Sequence, residues 1–444
     1  MSLPRERIHA KCLRAGRTSI WGSLAFRLFI LLLSCSLFSE GCVKKKTQPP
    51  QSEKTEVGEL EGGRSDSESK EIPRPRPSSR PIPPLSEMGG VKVLVLEGDA
   101  EKRGRLQGTL LKDEIRRIVK KYVYGFLYPH MGGRDIVRVV AESAEEFIGE
   151  EMKTEMKAMA EAAGVSYKDL LVLNAHVDSL SAACSTVAVT AKATSDKPLL
   201  ARNLDWPAPP DLNGLAVFVV VRAPGKKSYA NYTYPGFLGV LTGLNSEGVA
   251  VSMNVSASKD AARMCTPTPL ILREALQKAK SAQEFLVELK SKRRCSGFII
   301  TAIDARSGGG VIEYTASQTS IRKPKHEVLA STNHFLSSPM KKLQMGSTKN
   351  SRARLKVLKN AATFIEGTPL GLNDLKGALI KAPVFNRQTL MSVIVSPAEG
   401  WFDLWQRGDE ASTFLRIQAK KLLSGDVPVV DALPMSKDNL KDLE

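Results

Sequence analysis

Cys184, Arg202 and Asp205 are residues whose types and spacing can do chemistry together. A thiolate is a strong nucleophile, a guanidinium close to the sulfur favours it, and a carboxylate can orient a neighbouring base. No histidine adjoins Cys184, although His176 lies eight residues upstream. A base is still available if the chain is cut before Cys184, because an α-amino group titrates near pKa ~8 and is substantially neutral at working pH. A buried structural cysteine is the bland alternative for any free thiol.

These residues must be positioned by the stretch from Cys184 to Trp206. Val187 and Val189 alternate with small or polar residues, Thr194-Ser-Asp-Lys-Pro198 has turn chemistry, and Leu199 to Leu204 resumes an extended pattern. A hairpin with Cys184 at its front edge is predicted. In a straight strand residues three apart face opposite sides, so Arg202 and Asp205 both reach Cys184 only if the strand bends or ends near Leu204. Pro207 supplies a reason for such an end.

Ala183-Cys184-Ser185-Thr186 followed by Ala201-Arg-Asn-Leu-Asp-Trp206 resembles the N-terminal-nucleophile cysteine amidases. That group includes the penicillin acyltransferase-like peptidases, acid ceramidase, N-acylethanolamine amidase and the bile salt hydrolases. The resemblance implies an α+β fold, a four-layer αββα sandwich. It also implies self-cleavage between Ala183 and Cys184, attack of the new N-terminal cysteine on an amide carbonyl, and its own amine as base. Thr242 to Asn254 is similar to the family's turn and strand that end in an oxyanion-binding asparagine, which falls on Asn254, with Asn245 as turn residue. Ser331-Thr-Asn-His-Phe335 is similar to the second asparagine site and assigns Asn333 as a donor near the amine or oxyanion. Ser351-Arg-Ala-Arg354 resembles the basic motif that follows, with Arg352 as the better match. No cofactor is implied.

The chain has 444 residues, 42% hydrophobic and 25% charged, as expected for a globular protein with ordinary core material. Residues 1–41 read as an export signal: basic residues precede the apolar run Leu28 to Phe38, which is too short to span a bilayer comfortably. Gly41-Cys42 resembles a lipoprotein cleavage box, with Cys42 the lipidated residue. Residues 42–90, rich in Pro, Lys, Glu and Ser, read as a disordered tether. Residues 91–183 are expected to form a helical pro-segment, the small chain after cleavage, and 184–444 the catalytic chain.

The net charge is +17, and subtracting about +4 for the export region and about +1 for the tether leaves about +12 on the folded part. No zinc-finger spacing, RNA-binding motif or Walker loop accompanies that charge, which disfavours nucleic acid. No metal-ligand spacing is present either. Of six cysteines, Cys265 and Cys295 could pair in an exported protein, leaving Cys184 as the odd thiol.

A strand is predicted at Val91 to Leu96 and a long amphipathic helix from Gly98 to about Tyr128, opening with a Gly-x-x-x-Gly element. Helices at about 134–148, 150–163 and 167–180 follow, the second of these three ended by Gly164. Strands are then expected at 215–221, 237–241, 248–253, 297–303, 310–314, 389–396 and 401–405, with helices within 268–290 and near 351–363.

The sequence therefore predicts an exported, membrane-anchored amidase or acyltransferase acting on a small-molecule linear amide through a Cys184 thioester. A papain-like hydrolase pairing Cys184 with His334 or His176 is the enzymatic alternative. A non-catalytic lipoprotein binding envelope lipid or peptidoglycan is the other.

Overall fold

The computed structural model describes residues 82–426 apart from 195–196, 263, 307, 364, 366–367 and 409–413. The export region, Cys42 and most of the tether lie outside the described residues.

Two sheets organise the chain. The larger runs β1 (Leu85–Met88), β2 (Val91–Glu97), β5 (Val217–Arg222), β6 (Tyr229–Thr233), β7 (Thr242–Asn245), β8 (Val249–Val255), β9 (Phe298–Asp304), β10 (Gly308–Tyr314), β11 (Thr319–Arg322). The smaller runs β12 (Val328–Ser331), β3 (Ser185–Val189), β4 (Leu199–Asp205), β13 (Thr389–Ser396), β14 (Trp401–Gln406), β15 (Leu415–Gln418). All neighbours are antiparallel except β2 and β5. The tether expected to reach residue 90 therefore ends earlier, because Leu85–Met88 pairs with Val91–Leu94 and Ile82 is buried.

The helices before Cys184 are α1 (Ala100–Leu110), α2 (Lys112–Ile118), α3 (Arg134–Glu145), α4 (Glu150–Ala163) and α5 (Tyr167–Ala175). The single long helix predicted from Gly98 breaks at Leu111 and continues beyond α2 as a π-helix, Val119–Leu127. The Gly-x-x-x-Gly element brings α1 against α4. A Cβ on Gly104 would stand 2.0 Å from the Glu155 carbonyl and one on Gly108 2.4 Å from that of Met159, so only glycine admits this approach. Gly164 ends α4 in the left-handed conformation at φ 68°, as predicted.

The smaller sheet buries its outer face against α8 (Lys349–Ala361) and α9 (Leu372–Ile380), where Val187, Val189, Leu199, Ala201 and Ile394 meet Leu355, Leu358, Leu375 and Leu379. Its inner face meets the larger sheet, since β3 and β4 contact β8. Helices α6 (Thr268–Leu276) and α7 (Ala282–Ser291) pair with each other, and α7 packs on β9 and β10. The result is the αββα sandwich, with the β3–β4 hairpin at its centre. Cys265 and Cys295 form a disulfide.

Candidate active site

Register fixes which side chains can meet. Ser185 pairs with Asn203 and Thr186 with Arg202, so Cys184, Thr186, Arg202 and Leu204 share the inner face. Ser185, Asn203 and Asp205 point to the helical side: Asn203 donates to the carbonyls of Leu379 and Val384. The strand does not need to bend. Arg202 and Asp205 lie on opposite faces of β4, which ends at Asp205.

On the inner face Arg202 is fully buried and held by four acceptors. Its Nη1 donates to the Leu241 carbonyl at 3.2 Å and Thr242 Oγ1 at 2.9 Å, and its Nη2 donates to the Met253 carbonyl at 2.8 Å and Cys184 Sγ at 3.4 Å. Cys184 is buried and is the free cysteine among the described residues. Asn254 follows Met253. Its Oδ1 accepts from Thr186 Oγ1 at 3.0 Å, while its Nδ2 is buried with no partner among the described residues.

On the helical side the Asp205 carboxylate accepts from Thr389 Oγ1 at 2.7 Å and Asn386 Nδ2 at 2.6 Å. A β-bulge makes this possible. Thr389 pairs with Asp205 and Met391 with Leu204, so the extra residue Leu390 turns Thr389 toward the carboxylate. Burial pushes the Asp205 carboxyl up to about 6, against those two hydrogen bonds and the charges of Arg354 and Arg202. The Asp205 carbonyl accepts from Ala183 N at 3.0 Å, which ties the junction residue to the end of β4.

Continuing the β12–β3 register beyond Ser331 and Thr186 sets Asn333 across from Cys184. Its Nδ2 donates to the Val255 carbonyl at 2.7 Å and its Oδ1 accepts from Arg354 Nη2 at 2.8 Å. Arg352, the expected basic residue, is exposed and its Nε donates to Thr348 one turn back on its own helix. Arg354 takes the position instead. It is buried, and its Nη1 donates to the Cys184 carbonyl and to Ser185 Oγ at 3.0 Å. Asn245 is the turn residue predicted, donating to the Leu276 and Ala279 carbonyls and accepting from Glu247 N and Val249 N.

Neither histidine serves Cys184. His176 bonds Tyr122 OH at 3.0 Å and the Leu173 carbonyl at 2.8 Å, and His334 Nδ1 bonds Ser351 Oγ at 2.7 Å. Burial lowers both to about 4, so both are neutral above that pH. The papain-like arrangement is absent among the described residues.

Sequence reasoning missed Thr186, Arg354, Asn386, Thr389 and Asp178. Asp178 precedes the Ala183–Cys184 junction and accepts from Thr268 N at 2.9 Å and Thr268 Oγ1 at 2.8 Å, anchoring that segment to the start of α6. Beside Leu204 lies a small apolar pocket with a cavity volume of ≈ 50 Å³. Ile118, Tyr122, Leu173, His176 and Val177 line it from before Cys184; Leu204, Trp206, Phe237, Leu241 and Leu390 line it from after. Among the described residues no acidic, histidine or cysteine cluster could hold a metal ion.

A family model described as acyl-coenzyme A:6-aminopenicillanic acid acyl-transferase matches residues 192–375, a stretch that begins eight residues after Cys184. An uncharacterized protein of Archaeoglobus fulgidus is 23% identical over 274 residues, 54% of this chain and 46% of that protein. Protein dcd1A of Dictyostelium discoideum is 27% identical over 259 residues, 51% of this chain and 58% of that protein. The chain thus spans about half the length of the curated relatives it matches. Among solved structures, a Caenorhabditis elegans N-acylethanolamine-hydrolyzing acid amidase ortholog is 19% identical, with TM-score 0.40 over 48% of this chain and 93% of that one. A mutant of the conjugated bile acid hydrolase from Clostridium perfringens is 13% identical, with TM-score 0.40 over 57% and 97%. The chain is therefore similar over residues 192–375 to the acyl-coenzyme A:6-aminopenicillanic acid acyl-transferase family, and its two sheets stacked between helices are the αββα arrangement that the sequence resemblance implies.

Proposed function

We propose that this protein is a self-cleaving cysteine amidase or acyltransferase that acts on linear amides through a Cys184 thioester. The observation that carries the reading is the Arg202 guanidinium 3.4 Å from the Cys184 sulfur at a strand end. Arg354 donates to the Cys184 carbonyl and to Asn333, the Asp205 carbonyl accepts from Ala183 N, and Asn254 accepts from Thr186 two residues beyond Cys184.

Cleavage of the Ala183–Cys184 bond gives Cys184 an amine, which takes the thiol proton as the sulfur attacks the substrate carbonyl. Asn254 Nδ2 is the donor open to the oxyanion, an interaction typically worth on the order of 3 kcal/mol. The ammonium, oriented from the Asp205 side, returns its proton to the departing nitrogen as the C–N bond breaks. Water or an acceptor amine then attacks the thioester, loses a proton to the amine, and frees the acyl group as Cys184 regains its thiol. Arg202 donates to the Cys184 sulfur, and Arg354 fixes the Cys184 carbonyl. Five of the residues lining the small apolar pocket beside Leu204 precede Cys184, so the small chain stays as part of the enzyme.

Export, lipidation at Cys42 and a tether to the membrane complete the proposal. The Cys265–Cys295 disulfide supports an oxidising compartment. No helix among the described residues is long and apolar enough to cross a membrane. N-terminal sequencing and intact mass measurement of the exported protein should show a larger chain beginning at Cys184, and Cys184→Ala should remain whole. A fully active preparation consisting of uncut chain would overturn the reading.

A further inference from the structure

The Asn254 side chain presents a one-sided arrangement. Its Oδ1 is engaged by Thr186 Oγ1 at 3.0 Å, and its Nδ2 is buried and unpartnered among the described residues. Buried amide N–H groups nearly always have an acceptor, so an open one leaves a donor free for an acceptor from outside the protein. The direction in which an amide faces is set by its neighbours. Thr186 Oγ1 also lies 3.2 Å from Ser252 Oγ.

A hydroxyl has one proton to give and can accept in return. When Ser252 donates to Thr186, the Thr186 proton goes to Asn254, and only Oδ1 can receive it. The reversed amide would set Nδ2 against Thr186 and turn a carbonyl oxygen, with its partial negative charge, toward the place where an oxyanion develops. Ser252 and Asn254 lie two apart on β8 and so share a face. Thr186 stands on the inner face two residues beyond Cys184, directly across from Arg202, which bridges the Cys184 sulfur and the Met253 carbonyl. Thr186 thus ties the Asn254 amide to the strand that follows Cys184, opposite the guanidinium that meets the sulfur.

We infer that Thr186 is a positioning residue. The Ser252 to Thr186 to Asn254 chain of hydrogen bonds holds the Asn254 amide with Nδ2 presented to the oxyanion. This rests on the reading of Cys184 as an amide-attacking nucleophile, and its test separates the two.

Wild type, Cys184→Ala, Asn254→Ala, Thr186→Val and Thr186→Ser are compared with a chromogenic fatty or phenylacetyl amide. Thr186→Val keeps the shape and removes the donor. Its kcat should fall roughly 10- to 100-fold, less than the full loss of an oxyanion donor, with KM unchanged and the rate of Cys184 alkylation by iodoacetamide preserved. Thr186→Ser should recover to within about fivefold of wild type. A kcat for Thr186→Val within twofold of wild type, or a Thr186→Ser enzyme as slow as Thr186→Val, would overturn the inference. A neutron crystal structure reads the amide direction without any turnover: Oδ1 facing a deuterated Thr186 hydroxyl is expected, and Nδ2 facing it overturns the inference. Absence of Cys184-dependent amide turnover in the wild type sinks the parent reading alone, and the neutron result then decides the role of Thr186.

Discussion

Arg103 and Arg273 each meet the Glu155 carboxylate at 2.6 Å, and Glu151 adds a contact to Arg103 at 2.8 Å. Arg202 and Arg354 are as deeply buried, yet among the described residues neither forms an ion pair; they donate to carbonyls, hydroxyls, an amide and a sulfur. Burial acts against the charge of Arg273, but Glu155 more than offsets it and holds the group above its ordinary value. Burial wins at Arg354 and holds it below, with Asp205 acting in opposition. A neutralised cluster ties elements together. A cluster with no direct ion pair leaves positive charge beside Cys184, offset in part by Asp205, at a cost in stability. Glu155 and Arg103 precede Cys184 and Arg273 follows it, so the first cluster also links the two pieces that the proposed cleavage would create.

The widest separation of the two regions comes from Cys184→Ala. Removing the nucleophile should lower amide turnover by at least ~10⁴-fold while the melting temperature stays close to wild type. A stable, inactive, uncut protein is expected by calorimetry and mass spectrometry.

Glu155→Ala inverts that pattern. Two buried guanidinium groups lose their shared counter-charge, and breaking a buried pair in this way typically costs about 3–5 kcal/mol. The melting temperature should fall, and after cleavage the small chain should separate from the large one on gel filtration. Turnover per intact complex should remain near wild type. Arg202→Met sits next in size: a loss of ~10²-fold in kcat/KM, about 2.7 kcal/mol, with a smaller fall in melting temperature than Glu155→Ala. Equal destabilisation by the two changes would erase the distinction between a lock and a working site.

Much of this is legible in the sequence. Turn chemistry between two alternating runs marks the β3–β4 hairpin, and Gly164 marks the end of α4, because both signals are local. Phe237–Leu241 reads as a strand but is a loop: Asn231 donates to the Gly239 carbonyl, so a side chain satisfies backbone that a neighbouring strand would otherwise pair. Tyr229–Thr233 and Thr242–Asn245 are short strands with buried polar residues, and they lack the alternation that announces a strand. Arg352 and Arg354 are two apart on a helix, about 200° around its axis. Leu355 and Leu358 mark the sheet-facing side of α8, and Arg354 lies on that side. Helical periodicity would have chosen correctly where motif resemblance did not. Thr186 and the Leu390 bulge depend on sheet register, which a single sequence leaves open.

The pH profile sharpens the comparison on its acidic side. Burial raises the Asp205 carboxyl to about 6 from an ordinary 3.8, so it is ionised above and protonated below. An ammonium formed beside it pulls the midpoint lower. Activity of the cleaved enzyme should therefore fall as pH drops through about 6 or below, and Asp205→Asn should be slower and lose that limb. Stability runs the other way: a raised carboxyl contributes stability that is full below the unfolded value and lost as pH rises through the folded one.

The smallest effects are expected at the two histidines nearest the chemistry. Burial holds His176 and His334 near 4, and both ring systems are committed to neighbours other than Cys184. At neutral pH neither carries a charge, and neither stands where it could take the thiol proton. His176→Gln removes one end of a network in which Trp206 Nε1 donates to Tyr122 OH at 2.5 Å, and it slightly reshapes the apolar pocket, so KM should move more than kcat. His334→Gln keeps a polar partner for Ser351, which also accepts from Asn333 N at 2.8 Å. Each variant should retain turnover within about tenfold of wild type, against the 10²- to 10⁴-fold usually lost with a general base. A loss beyond about a thousandfold in a folded, cleaved variant would move the base from the amine of Cys184 to that imidazole. The acidic limb would then follow the histidine substitution and survive in Asp205→Asn.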